Sequence, residues 1–282
     1  MKQSLITKLY QLNNQFYQQQ GASFAQTRGA PWQGWQALVE HLRTVGAVPP
    51  EDPSTDQAPQ TLTVFDLACG NMRFESFLHE ALAHVDLDYY GADNSIEMAG
   101  TGSQKKHFQS LDALGVLIDK DPAAVVKAIN APASDLVVSF GFMHHVPSQK
   151  LREQMLQVMI DSCKPRGYIA VSFWQFLNSK ALAEKAAVTH AAALKDLSHE
   201  WAYSPAEISD GLDYGDYFLG WQGIAGAYRY CHNFSSAEIA ELVGSVSGQA
   251  KLIAQFDADG RTGNLNAYIV LQKVCSADKR TL

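Results

Sequence analysis

Cysteine is sparse in this 282-residue sequence, and Cys69, Cys163, Cys231 and Cys275 show no C-x-x-C spacing. A zinc ribbon or a disulfide framework is therefore excluded. Positive charge is also short: 22 Lys plus Arg stand against 29 Asp plus Glu, for a formal net charge of −7. No global positive field draws the chain to nucleic acid or an anionic membrane. No apolar run approaches the length of a membrane span, and the opening "MKQSLITKLYQLNNQFYQQQ" is too polar for a signal peptide. A cytoplasmic protein with no membrane association is expected. No internal repeat is apparent. His144 and His145 are adjacent, but no carboxylate or cysteine stands at ligand spacing from them, and no metal is expected.

What is present is an ordinary core-forming composition, 46% hydrophobic and 18% charged. Residues 1–45 read as helical, with Leu5, Leu9 and Leu12 at helical spacing and a second helix in "WQGWQALVEHLRTV". Between them "FAQTRGAPWQGW" reads as a turn-forming lid segment. Residues 46–60, rich in Pro and acid, read as a linker. From 61 to 173 strands and helices alternate: "TLTVFDLACG", "DLDYYGADNS", "HFQSLDAL", "SDLVVSFGF" and "GYIAVSFW" are strand candidates, with "RFESFLHEALAHV" and "SQKLREQMLQVMIDSCK" as helices. Continuous Val/Ile/Phe runs between helices predict a doubly wound α/β fold, a mostly parallel seven-stranded sheet covered on both faces. Residues 174–232 break the rhythm and read as an insertion capping the sheet's ligand edge. Residues 233–282 read as a helix, N-capped by Ser235 or Ser236, followed by a strand hairpin. One domain is expected over 1–282.

In doubly wound sheets a ligand lies at the carboxyl ends of the strands. Here the loop after the first strand, "DLACGNMRF", has Gly70 as its one glycine and fits a dinucleotide G-x-G-x-x-G pattern poorly. Asp66 at the end of the first strand, Cys69-Gly70-Asn71, and Asp93 ending the second strand together resemble the class I S-adenosylmethionine-dependent methyltransferases, with a Rossmann-like fold. The resemblance implies S-adenosyl-L-methionine as cofactor and S-adenosyl-L-homocysteine as product. It places Asp66, Ala68, Gly70, Asn71 and Arg73 around the amino-acid portion, and Asp93 with Asn94 at the ribose, where a carboxylate accepts two hydrogen bonds at once. Asp112 falls near the adenine amino group, and Phe140 and His144, in "FGFMHHV", in the loop that closes over the cofactor. Ala68 and Met72 stand where that family commonly has glycine.

The edges of the chain resemble a narrower group. "FYQQQGASFAQTRGAPWQGW", "MHHVPSQKLREQMLQVMIDSCKPRGYIAVSFW", "YGDYFLGW", "YRYCHNF" and "GNLNAYIVLQK" are similar to elements of the tRNA wobble-uridine carboxymethyl methyltransferases. That resemblance implies esterification of a carboxymethyl group on the wobble uridine, tRNA as acceptor, and a small zinc-binding activating protein as partner. A carboxylate is already ionised at neutral pH, so catalysis would rest on positioning and exclusion of water. Arg28 and Arg229 are the candidates for gripping the acceptor, because a guanidinium fork matches carboxylate and phosphate. Trp32, Tyr228 and Tyr230 are candidates for stacking on a base, Tyr230 being placed with the two arginines at the catalytic end. The acidic charge, with Asp210, Asp213 and Asp216 in the cap, opposes an RNA and keeps a small-molecule O- or N-methyltransferase open as the alternative.

Overall fold

The computed structural model describes residues 1–27, 29–48, 61–100 and 104–275. Seven strands form the main sheet: β1 (Thr61–Leu67), β2 (Asp86–Asp93), β3 (Phe108–Ser110), β4 (Ser134–Ser139), β5 (Cys163–Trp174), β8 (Ala250–Ala258) and β9 (Asn266–Lys273). Their spatial order is β3-β2-β1-β4-β5-β9-β8. All neighbours from β3 to β5 pair in parallel, and β9 runs antiparallel between β5 and β8. The expected mostly parallel seven-stranded sheet is thus what forms. Strand order reverses between β1 and β4, which opens a crevice at their carboxyl ends.

Period-2 alternation along the strands builds two cores. Phe65, Leu67, Val137, Ile169, Val171 and Ile269 face one side, against helices α5 (Ala113–Asp119), α6 (Pro122–Ala128), α7 (Gln149–Asp161) and α10 (Ser236–Ser245). Leu62, Val64, Leu136, Val138, Ala170 and Val270 face the other, against α2 (Gln33–Thr44) and α3 (Arg73–Ala81). Each such side chain, fully buried, contributes roughly 1.5–3 kcal/mol. Ser235, one of the two serines expected to cap α10, does so through a reciprocal capping box with Glu238.

Two expectations change on folding. The helix α1 (Gln3–Gln26) runs through Phe24 and Ala25, so the first part of the turn-forming segment is helical. "HFQSLDAL" gives a strand of only three residues, because Asp112 accepts the Gly115 N–H at 2.8 Å and starts α5 there. Most of the 46–60 linker lies outside the described residues.

The 174–232 segment holds α8 (Lys180–Trp201), α9 (Pro205–Gly211) and a second sheet of β6 (Asp216–Gly220) and β7 (Tyr228–His232). Its core joins Ala193, Leu197, Trp201 and Phe218 to Leu5, Leu9 and Leu12 of α1. The apolar stripe of α1 therefore grips the insertion. The adjoining polar and aromatic stripe faces the crevice.

Candidate functional site

A cavity of about 740 Å³ lies at the carboxyl ends of β1, β2 and β4, beneath α1. Asp66, Ala68, Gly70, Asn71, Arg73, Asp93, Asn94, Asp112, Phe140 and His144 all line it, as do Trp32 and Arg229. Three sequence candidates stand apart. Arg28 lies outside the described residues. Tyr230 is wholly buried, with its hydroxyl donating to Asp216 at 2.7 Å and accepting from Arg152 at 3.0 Å, and it is not brought to the cavity. Tyr228 donates to Asp196 at 2.7 Å and is also off the cavity wall.

The loop after β1 is tied to β2. The Ala68 and Cys69 N–H groups both donate to the Ala92 carbonyl, at 2.7 and 3.1 Å. Ala68 (φ 62°), Gly70 (φ 53°) and Met72 (φ 56°) are all left-handed, so the glycine-type backbone persists although two of the glycines are absent. Asp93 accepts the Gly70 and Ser95 N–H groups at 2.8 and 2.9 Å. A carboxylate has lone-pair capacity beyond those two bonds. Burial raises the Asp93 pKa, opposed by these backbone donors.

Asp66 is buried and accepts the Tyr89 hydroxyl at 2.5 Å. Burial pushes its pKa up to about 7, with the Tyr89 bond acting the other way and Asp93 adding to the rise. At the far end of the crevice Tyr10 donates to Asp112, and burial followed by that bond pushes Tyr10 up to about 12. Asn94 donates to Asn14 of α1 at 3.0 Å. Arg73 donates to the Ala30 carbonyl at 2.7 Å, with its guanidinium 5.0 Å from the Trp32 and Trp35 rings. Phe140 packs edge-on to Phe74, and His144 lies 5.0 Å from the Trp174 ring.

The remaining wall comes from β7, where alternation turns Arg229 and Cys231 away from Tyr230 and His232. Arg229 is 6% exposed, with ring centroids of Phe16, Phe24 and Trp221 at 5.1, 5.3 and 5.7 Å. Its Nε and Nη1 are buried and have no hydrogen-bond partner among the described residues. Behind it Asp216 receives Arg152, Tyr230 and His232, and His232 also meets Glu238 at 3.0 Å. That network fixes β7 and, through the Arg152 bond to the Val146 carbonyl at 3.0 Å, the loop bearing His144 and His145.

His144, His145 and Cys231 bring ligand-type atoms within 4.8 Å of one another. A cation is disfavoured there. Burial raises the Cys231 thiol to about 11, and the force opposing that rise is the adjacent Arg229 guanidinium, a fixed positive charge. His145 moreover has Nδ1 2.9 Å from the Tyr230 carbonyl oxygen and Nε2 2.7 Å from the Tyr17 hydroxyl.

Residues 1–45 were expected to form a helical lid, but none of the cavity-lining side chains of α1 was among the sequence candidates. Tyr10, Asn13, Asn14, Tyr17 and Phe24 all line the cavity. Their spacing places them on one helical face beside Leu5, Leu9 and Leu12, with Asn13 one turn on from Leu9. That polar and aromatic stripe is a signal in the sequence, masked by the stronger apolar one.

No protein-family model and no curated protein matches the chain. Among solved structures it is similar to a SAM-dependent methyltransferase from Methanosarcina mazei, with 15% identity, a TM-score of 0.53, and coverage of 78% of this chain and 95% of that one. It is also similar to an S-adenosylmethionine-dependent methyltransferase from Clostridium acetobutylicum, with 10% identity, a TM-score of 0.50, and coverage of 88% and 94%. The chain thus shares the Rossmann-like fold of these methyltransferases.

Proposed function

We propose that this chain is an S-adenosylmethionine-dependent methyltransferase whose acceptor is anchored through an anionic group at Arg229. The observation that carries the acceptor half is the buried guanidinium on the cavity wall with Nε and Nη1 lacking acceptors, because buried charged donors left without an acceptor are costly and an incoming anion removes that cost. The cofactor half rests on the fold and on the fit of the β1 loop. At Gly70 an added Cβ would come 3.3 Å from Met98, at a backbone φ that disfavours side chains, so the cradle is kept open for close approach. Asp66 suits an ammonium, and Asp93 and Asn94 suit ribose hydroxyls. When bound, S-adenosylmethionine supplies a methyl group on a positively charged sulfur. The protein's own part is to hold cofactor and acceptor in line and exclude water, which the apolar walls of Trp35, Phe74 and Phe140 promote.

For the acceptor, the sequence motifs favour the carboxymethyl group of a modified tRNA wobble uridine, with a small activating protein supplying the positive surface that a net charge of −7 lacks. The second reading, a small acidic molecule, draws on that same charge and on the cover that α1 places over the cavity. A cytoplasmic setting accompanies either reading and is supported by four unpaired cysteines. Among the described residues no helix is long and apolar enough to cross a membrane. The test is incubation of the protein with methyl-deuterated S-adenosylmethionine and tRNA from a strain lacking the gene, followed by nucleoside mass spectrometry. A labelled wobble nucleoside establishes the RNA acceptor. Absence of label from protein that binds the cofactor moves the acceptor to a small molecule.

A further inference from the structure

The cavity wall contains a second polar device, besides Arg229, that a carboxylate nucleophile would leave idle. The His145 Nδ1 is 2.9 Å from the Tyr230 carbonyl oxygen, which can only accept. Nδ1 also lies 3.2 Å from the Asn13 amide nitrogen, but that amide has the Tyr230 oxygen as its own acceptor at 3.1 Å, so the shorter contact to the carbonyl places the ring proton on Nδ1, and in the neutral imidazole Nε2 is an acceptor. The group 2.7 Å from Nε2 is the Tyr17 hydroxyl, which donates to it. The carbonyl that sets this tautomer is itself held: Asn13 accepts the Tyr230 N–H at 2.7 Å and donates to the Tyr230 oxygen at 3.1 Å. The sequence of contacts is an orienting carbonyl, an imidazole, then a hydroxyl at the cavity, the arrangement by which a weak acid is readied to pass a proton. Tyr17 and His145 both line the cavity with Arg229.

We infer that Tyr17 and His145 form the proton-accepting pair of the acceptor site, and that the methyl acceptor is a protonated nucleophile, a hydroxyl or an amine, on a molecule that also carries an anion for Arg229. This rests on the methyltransferase reading and takes up its second form, the small acidic molecule, in place of the wobble carboxymethyl group. The acceptor's heteroatom forms its bond to the methyl carbon while the methyl–sulfur bonding pair stays on sulfur. The proton lost by the acceptor goes to the Tyr17 oxygen as the Tyr17 proton passes to His145 Nε2. The products are the methylated acceptor, the neutral thioether and an imidazolium. Among the described residues, His145 is met by Tyr17 and Asn13 from α1, His144 in its own loop, and Cys231, whose sulfur is 3.8 Å from Nδ1, on β7 beside Arg229.

The test uses full-length protein and two readouts. The first is nitrogen NMR of histidine-labelled protein in complex with S-adenosylhomocysteine, where His145 is expected to show a protonated Nδ1 and a bare Nε2 whose signal moves in Tyr17→Phe. The second is single-turnover transfer to 4-hydroxybenzoate, a probe that offers a carboxylate and a hydroxyl in one molecule. The expected product is the methyl ether. Its rate is expected to fall by about 100-fold in both Tyr17→Phe and His145→Gln, in the range typical of losing a positioned base, with cofactor affinity unchanged. Methyl ester as product, no transfer by protein that binds the cofactor, the opposite tautomer, or full rates in both variants overturns the inference. Failure of wild-type protein to bind S-adenosylmethionine by calorimetry overturns the methyltransferase reading instead.

Discussion

Asp93 holds the Gly70 N–H at 2.8 Å, so the acid that ends the second strand also shapes the loop that follows the first. Its other oxygen takes the Ser95 N–H at the start of the short helix Ile96–Ala99. Asp93→Ala would therefore act twice, removing the acceptors proposed for the ribose and freeing two backbone donors. Hydrogen bonds to a charged group are worth about 1.5–3 kcal/mol each. Cofactor affinity measured by calorimetry is expected to fall at least about tenfold. An unchanged dissociation constant removes Asp93 from the cofactor site.

Ala68 and Met72 are expected to respond oppositely to glycine. Both are left-handed, a conformation that costs an ordinary residue roughly 1–2 kcal/mol. At Ala68 only a methyl is lost, and Ala68→Gly is expected to raise stability by about 1 kcal/mol in urea denaturation. Met72 is 1% exposed and packs in the core with Phe74 and Tyr89, so its side chain offsets the strain. Met72→Gly is expected to lose about 2 kcal/mol, within the usual range for emptying a buried methionine site. Equal changes of the same sign in the two variants would contradict this account.

The same loop shows how far the sequence could be read. Asp66, Gly70 and Asp93 were legible because strand ends and the acids on them follow from the apolar runs. The glycine-like backbone at Ala68 and Met72 was not, since residue identity pointed against it and the bonds that hold the loop, from the Ala68 and Cys69 N–H groups to the Ala92 carbonyl and from the Met72 N–H to the Cys69 carbonyl, form only on folding. The sheet was legible for a similar reason: period 2 with both faces buried leaves little choice of element. The β6–β7 pair was not, because its partners come from the cap and from α1, over 200 residues away in the chain. Tyr230 shows the limit at the site itself. Alternation on β7 sends it opposite to Arg229, and a one-residue difference decides which side chain meets the cavity.

That alternation separates two variants. Arg229→Met removes a buried cation whose Nε and Nη1 lack partners and keeps side-chain volume among Phe16, Phe24 and Trp221. Stability is expected to rise by about 1 kcal/mol, after offsetting the lost cation–π contact. Acceptor turnover is expected to drop about 100-fold, with cofactor affinity unaltered. Tyr230→Phe should do the reverse. Losing the bonds to Asp216 and Arg152 is expected to cost about 1–3 kcal/mol, and turnover should change by no more than about threefold. A large loss of turnover in properly folded Tyr230→Phe would restore Tyr230 to the chemistry.

Asp66 makes a pH prediction with a definite sign. Burial lifts its folded-state pKa from 3.8 to about 7, so the folded protein keeps a proton that the unfolded chain has already released. Between pH 4 and 7 the folded state binds more protons, and this group's contribution to stability declines as pH rises. Asp66→Asn preserves an acceptor for the Tyr89 hydroxyl and removes the titration. Relative to wild type the variant is expected to gain roughly 2–3 kcal/mol between pH 5 and pH 8 in urea denaturation, from 1.36 kcal/mol per unit over the interval. A ligand ammonium beside Asp66 would pull its pKa back down. Calorimetry of S-adenosylmethionine binding at pH 6, repeated in buffers of different ionisation enthalpy, should then report proton release in the wild type and none in Asp66→Asn. Proton release that persists in the variant would assign the coupled group elsewhere in the cavity and leave Asp66 a purely structural acid.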